Sequence, residues 1–382
     1  MPMTTRMMLL VLGAVLGLPA ASRADAPLPS GSSFHELVRA FNNEQNRLAF
    51  GEADGLAAIK AAMSQVKVWL KTATADSWKD QRDRNALVVF LLGGGSIAGA
   101  GRSIENAKLD DAQRASISAA IAYSEGRIEA AEYLQKIDPL KVEPILGAHV
   151  ALAQATLLIE RDYKTSFALL GLPSLLLPGS LIEEASLRRR ILLVAARPEV
   201  GSLVQTVQHY MRRFGLSVYR ESLVTALSNA LLEREFRELQ EVVAVVAALS
   251  QLPAENSASI LLRLAESQAA QGRLQFVQNF AEPVVAAAAE GSRDRARANL
   301  YNALGGLLAD PPRTTLTILD QLEREKFNPS EEVLLEAAKE VMRGVAEGET
   351  VDPEDDSAGE NHLLVKKAQT LMAETDALLR RK

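Results

Sequence analysis

The sequence predicts an all-α protein, an α-solenoid of stacked helix hairpins, and three observations predict it. Aromatic residues make up only 5% of the chain, and alanine-rich runs recur. That composition favours helices packed closely through small side chains over a β-sandwich. From Ala115 to Val345, apolar residues return with the 3.6-residue period of an amphipathic helix. Hairpins open near Ala115, Ile145, Leu181, Tyr219, Asn256, Arg293 and Pro329, and after the first interval their spacing is 36, 38, 37, 37 and 36 residues. A constant period in the mid-thirties marks a solenoid, in which each helix pair hides its apolar faces against the next.

Residues 1–24 read as a signal peptide. Arg6 supplies the positive n-region, Met7 to Leu18 the apolar h-region, and Ser22-Arg23-Ala24 the small residues before cleavage at Asp25. The apolar run is shorter than a membrane span of roughly 20 residues; an uncleaved anchor is the alternative. No Arg-Arg pair precedes it, which favours the Sec route over Tat. Residues 25–33 form a Pro/Ser linker. An N-terminal helical region follows at 34–110, with helices over Phe34–Phe50 and Ala53–Lys71, a polar turn holding Trp78, an apolar run Asn85–Leu92, and a Gly-rich loop at Gly93–Gly101.

The solenoid itself spans 111–346. Its organising hairpin is Leu181 to Phe214. In the second limb Leu203, Val204, Val207, Tyr210, Met211 and Phe214 share one helical face. In the first, Leu181, Ile182, Ala185, Leu192 and Ala195 do so, interrupted by Arg188 and Arg189. Pro198 fits the opening of the second limb better than a helix interior. Gly126 and Gly272 fall just past helices, where a left-handed C-cap is wanted. The pattern resembles tetratricopeptide repeats in degenerate form, hence TPR-like, although the early Trp and the terminal Pro of the consensus are not met. Residues 347–360 are an acidic flexible linker. Residues 361–382 are a C-terminal amphipathic helix, either a solenoid cap or a detachable helix for a partner's groove.

Charge and composition narrow the function. Losing residues 1–24 removes Arg6 and Arg23 and no acid, leaving 40 bases against 48 acids and a net charge of −8. That balance argues against nucleic acid as a partner. Cysteine is absent, so the chain has no disulfide, thiolate nucleophile, lipoprotein anchor or sulfur-based zinc site. The four histidines, His35, His149, His209 and His362, form no metal motif, and His149 shares a helix face with Ile145, Leu152 and Ala155 as a core histidine would. GGGSIAGAG lacks the lysine of a P-loop and the βαβ setting of a dinucleotide fingerprint, and Ala98 breaks GxSxG. No catalytic, cofactor-binding or metal residues and no small-molecule substrate are expected, so the chain reads as a protein that is not an enzyme. Glu183 and Glu184 are first-turn acids that favour the helix dipole. Arg188, Arg189 and Arg190 are the candidate partner-binding residues, either a solvated face or a docking point for a partner's acids.

Four segments carry a family resemblance. They are Phe34-His35-Glu36-Leu37-Val38-Arg39; Ser77-Trp78-Lys79-Asp80 leading into ALVVFLLGGG; Ala122-Tyr123-Ser124-Glu125-Gly126-Arg127 leading to Ile137-Asp138-Pro139; and Leu177-Pro178-Gly179-Ser180-Leu181-Ile182-Glu183-Glu184-Ala185. Together they resemble the MotC family, periplasmic motility and chemotaxis proteins of rhizobia and related α-proteobacteria, over roughly Phe34 to Tyr219. The resemblance implies an exported protein of the periplasm that is needed for flagellar rotation. Its partner would be the periplasmic domain of the flagellar stator protein MotB, which it would bind and stabilise or position. The alternatives are a TPR-like periplasmic adaptor for another cell-envelope assembly and a helical murein hydrolase, the latter lacking a recognisable catalytic segment.

Overall fold

The computed structural model describes residues 31–52, 55–97, 99–127, 129–307, 310–322 and 327–348. The expected signal peptide, most of the two linkers and the C-terminal amphipathic helix lie outside the described residues. Among those described, every regular element is helical and none is a strand, which is the predicted all-α class. The chain divides into two compact units, Met1–Ser202 with His209–Thr225, and Leu203–Gln208 with Ala226–Lys382.

The first unit begins with α1 (Phe34–Ala49) and α2 (Gly55–Thr72). A capping box starts α1: the Ser33 N–H donates to Glu36 Oε2 at 2.8 Å, satisfying an amide that the helix cannot. Phe34, Leu37, Val38 and Phe41 then recur at i, i+3, i+4 and i+7 and are all buried. Trp78, expected in a polar turn, instead ends a 3-10 turn (Ala75–Trp78) and is only 2% exposed. Its ring meets Phe34 and Trp69 edge-on at 5.6 and 5.2 Å. Its indole N–H donates to Ser103 Oγ at 3.0 Å, as a buried indole requires. The surrounding residues read as polar, but the aromatic surface outweighs them once α3 (Gln81–Leu92) lies alongside. α3 starts four residues before the expected apolar run because Asp80 caps it, accepting the Arg82 N–H at 2.8 Å. The Gly-rich loop closes α3, with the Gly95 N–H bonded to Phe90 O at 2.8 Å.

Further along lie α4 (Gly101–Glu105), α5 (Asp111–Ser124), α6 (Pro144–Leu158), α7 (Tyr163–Leu169), α8 (Leu172–Leu176), α9 (Leu181–Ala196) and the end of α10 (Leu203–Phe214). The limb after α5 is not α-helical but a 3-10 stretch, Glu129–Lys136. Gln154 holds its end, donating through Nε2 to Leu134 O and Ile137 O at 2.8 and 2.7 Å. The limb after α6 is broken into α7 and α8, where Gly171 and Pro173 withdraw helix propensity and an amide donor. Pro198 forms a 3-10 turn (Pro198–Val200) ahead of α10 rather than opening that helix.

The second unit is more regular. It contains most of α11 (Arg220–Leu232), then α12 (Leu239–Leu249), α13 (Ala254–Ala270), α14 (Leu274–Ala287), α15 (Arg293–Gly306), α16 (Pro312–Asp320) and α17 (Pro329–Gly348). Within it α14 packs against α13 and α15, and α16 against α17. Along the whole chain the hairpins open at Asp111, Pro144, Leu181, Arg220, Ala254, Arg293 and Pro329, each within four residues of the predicted position. Gly126 and Gly272 adopt φ of +74° and +69°. In both turns the amide of the next residue reaches back to the carbonyl five residues earlier, Arg127 to Ala122 at 2.8 Å and Arg273 to Gln268 at 2.9 Å, the left-handed C-cap that glycine favours.

Candidate partner-binding site at Arg188 to Arg190

The candidate arginines lie on α9, and the start of that helix explains their surroundings. Ser180 is the N-cap: its hydroxyl oxygen accepts the Glu183 N–H at 3.1 Å and its proton goes to Leu177 O at 2.6 Å. Glu183 accepts the Gly179 N–H at 2.6 Å. Glu183 and Glu184, the third and fourth residues after the cap, therefore place carboxylates in the first turn, where the dipole favours them. Both acids are nevertheless inside the protein, Glu183 at 1% and Glu184 at 0% exposure. A buried carboxylate is tolerated only when its lone pairs are met.

They are met. Glu184 Oε2 accepts from Arg188 Nε at 2.8 Å, one helical turn on. Its Oε1 accepts from the Tyr210 hydroxyl at 2.8 Å and the Ser217 hydroxyl at 3.1 Å. The Arg188 guanidinium also lies over the Tyr219 ring at 4.8 Å, a cation–π contact strengthened by desolvation. Burial, then the Glu184 charge, pushes the Tyr210 hydroxyl pKa far above its ordinary value, so that hydroxyl remains a donor. Glu183 takes Arg213 Nη2 at 2.9 Å, with His209 Nε2 at 3.9 Å. This cluster is a cross-brace that ties α9 to the end of α10 and the turn after it.

The three arginines thus have three different environments. Arg188 is buried and engaged within the fold. Arg189 is half-buried; among the described residues its Nη1 makes a long contact to Ala185 O at 3.4 Å and its Nε has no hydrogen-bond partner. Arg190 is half-buried, stacks on Phe167 at 4.2 Å, and its Nε has no hydrogen-bond partner among the described residues. Burial pulls both of the latter guanidinium pKa values down. Around Arg190 the field is basic. His209 is driven below its ordinary pKa by burial and by Arg213, Arg190 and Arg212, against the opposing pull of Glu183. Arg212 and Arg213 are exposed. Sequence reading missed this group because its members come from two helices. The Glu184-to-Arg188 step of four residues was the legible part.

The second unit repeats the device. Glu331, 1% exposed at the start of α17, trades hydrogen bonds with the N-cap Asn328, accepting its N–H at 3.0 Å and returning its own at 2.9 Å. Arg297 Nε and the Tyr301 hydroxyl both donate to Glu331 Oε1. Elsewhere among the described residues, His35, Asp80 and Asp83 bring three potential metal-ligand atoms within 4.8 Å of one another. Asp83 Oδ1 already accepts the His35 N–H at 2.8 Å, and Asp80, drawn down to about 2 by Arg82, pairs with that guanidinium at 2.7 Å. The arginine holds the place of a cation there. Core His149 is 4% exposed, with its Nδ1 2.8 Å from Ile145 O, and burial lowers its pKa to about 4.

Fold and site together define an all-α helical-hairpin protein, consistent with a helical solenoid, braced internally by buried carboxylates at Glu183, Glu184 and Glu331. Comparison with known families places it further. The chain belongs to the family described as chemotaxis protein MotC, whose family model matches residues 1–381. It is similar to the chemotaxis protein MotC of Rhizobium meliloti (strain 1021), with 24% identity over 350 residues, 85% of this chain and 77% of that protein. No solved structure matches it significantly. The role of the protein is therefore motility-related, and no described helix is long and apolar enough to cross a membrane.

Proposed function

We propose that the protein acts in the periplasm, without catalysing a reaction, as a motility factor required for flagellar rotation. It binds the periplasmic part of the stator protein MotB and stabilises or positions it at the motor. The observation that carries this reading is the family match across residues 1–381. The fold supports it: stacked hairpins present side chains of successive helices side by side, the arrangement by which helical repeats grip another polypeptide. The docking edge is the basic surface of Arg190, Arg212 and Arg213, with Arg189 beside it. Arg188 serves by holding α9 and α10 in place. Guanidinium groups on such an edge meet partner carboxylates in bidentate fashion and so orient the partner as well as attract it. Deleting the gene tests the role: cells should carry flagella and fail to swim, and bald cells would contradict it.

A further inference from the structure

α17 has two apolar faces, and among the described residues only one of them is fully buried. Leu335, Ala338 and Met342 lie in the core of the second unit. Around the helix from them, Val333, Leu334, Ala337, Val341 and Val345 share another face at i, i+1, i+4, i+8 and i+12. Val333 and Val345 are 47% and 42% exposed and the other three are half-buried. A helix that ended the stack would turn a polar face outward. The polar side of α17 lies elsewhere, carrying exposed Glu332, Glu336 and Glu340.

The rest of the chain supplies a match. Each of the six earlier hairpin openers is followed along the sequence by a second limb; α17 is the seventh opener, and residues 349–382 come after it. In that stretch Leu364, Ala368, Leu371 and Leu378 recur at i, i+4, i+7 and i+14, one helical face. Val333 to Val345 spans about 18 Å of helix and Leu364 to Leu378 about 21 Å, at 1.5 Å per residue. Charge is complementary as well. The exposed charges of α17 are four acids, Glu332, Glu336, Glu340 and Glu347, and one base, Arg343, and residues 362–382 carry five bases and two acids. Thirteen residues intervene (349–361), enough for about 40 Å of extended chain, so the connection closes without strain.

We propose that residues 362–380 of this chain pack antiparallel on the Val333–Val345 face of α17, as the second limb of the seventh hairpin. The absence of native cysteine makes disulfide trapping in the full mature chain a direct test. Val333→Cys with Leu378→Cys, and Val345→Cys with Leu364→Cys, should each form an intramolecular disulfide under mild oxidation. The crossed pairs, Val333→Cys with Leu364→Cys and Val345→Cys with Leu378→Cys, should not. Circular dichroism confirms that each variant is folded; Val333 and Val345 are exposed, so cysteine there is tolerated. Trapping of the crossed pairs would reverse the orientation and overturn the proposal. Disulfides between two chains would make a second copy the occupant. Folded variants that trap nothing would leave the face to another protein.

Discussion

Replacing Glu184 with Gln is the sharpest perturbation of the internal brace. The substitution keeps the shape and removes one charge, leaving the Arg188 guanidinium, 5% exposed, without its counter-ion. Gln also offers only one oxygen where Glu184 uses two, at 2.8 Å to Arg188, 2.8 Å to Tyr210 and 3.1 Å to Ser217. An amide nitrogen must therefore face one of these donors. Breaking a buried pair costs about 3–5 kcal/mol, and the Gln isostere should fall near the lower end, about 3 kcal/mol. For a unit of this size each kcal/mol lowers the melting temperature by about 2–4 °C, so the expected fall is about 6–12 °C by circular dichroism. The second arm is Glu184→Leu with Arg188→Met. An apolar pair of similar volume needs no counter-charge but leaves the Tyr210 and Ser217 hydroxyls without their acceptor, so the double variant should lose clearly less than the sum of the two single changes. A loss below about 1 kcal/mol for Glu184→Gln, or additive single effects, would refute the brace.

Other outcomes follow from the structure and the sequence. His149 has a folded pKa lowered by burial to about 4 from 6.5, so the unfolded chain binds the extra proton first as pH falls. Its contribution is complete above pH 6.5 and is lost between 6.5 and 4, costing about 2 kcal/mol at pH 5; urea midpoints should show this, and His149→Gln should flatten the slope. At Gly126 an added Cβ meets nothing within 4 Å, so Gly126→Ala isolates the cost of the +74° φ, about 1–2 kcal/mol in denaturant melts. N-terminal sequencing of protein released by osmotic shock should begin at Asp25; recovery only from membranes with Met1 retained would contradict export.

The repeat was legible because it rests on local signals: first-limb caps and apolar periodicity fall every 33 to 39 residues, and turn glycines mark the hairpins. Two second limbs were not legible. Glu129–Lys136 has helix-forming residues, yet Gln154 and the buried Ala131 and Leu134 hold it as 3-10, a tertiary contact that overrides propensity. Trp78 was hidden because its polar neighbours dominate a short window, while its partners, Trp69, Ser103 and Phe34, lie 9, 25 and 44 residues away. At the candidate site, the sequence presents the acids of α9 as dipole partners and the arginines as either a solvated face or a docking point for a partner's acids. The fold joins the two groups, because burial forces each charge to find its opposite, and only Arg189 and Arg190 are left toward the edge.

Binding to the partner is the central claim, and titration calorimetry of the mature protein against the isolated periplasmic domain of MotB from the same organism tests it most directly. Saturable binding is expected, weakened at least tenfold by Arg190→Glu and by Arg212→Glu; at exposed Arg212 the melting temperature should stay within about 2 °C, as for a surface change, whereas half-buried Arg190 also gives up its contact with Phe167. Absence of binding by folded protein, or binding unchanged by both substitutions, would contradict it.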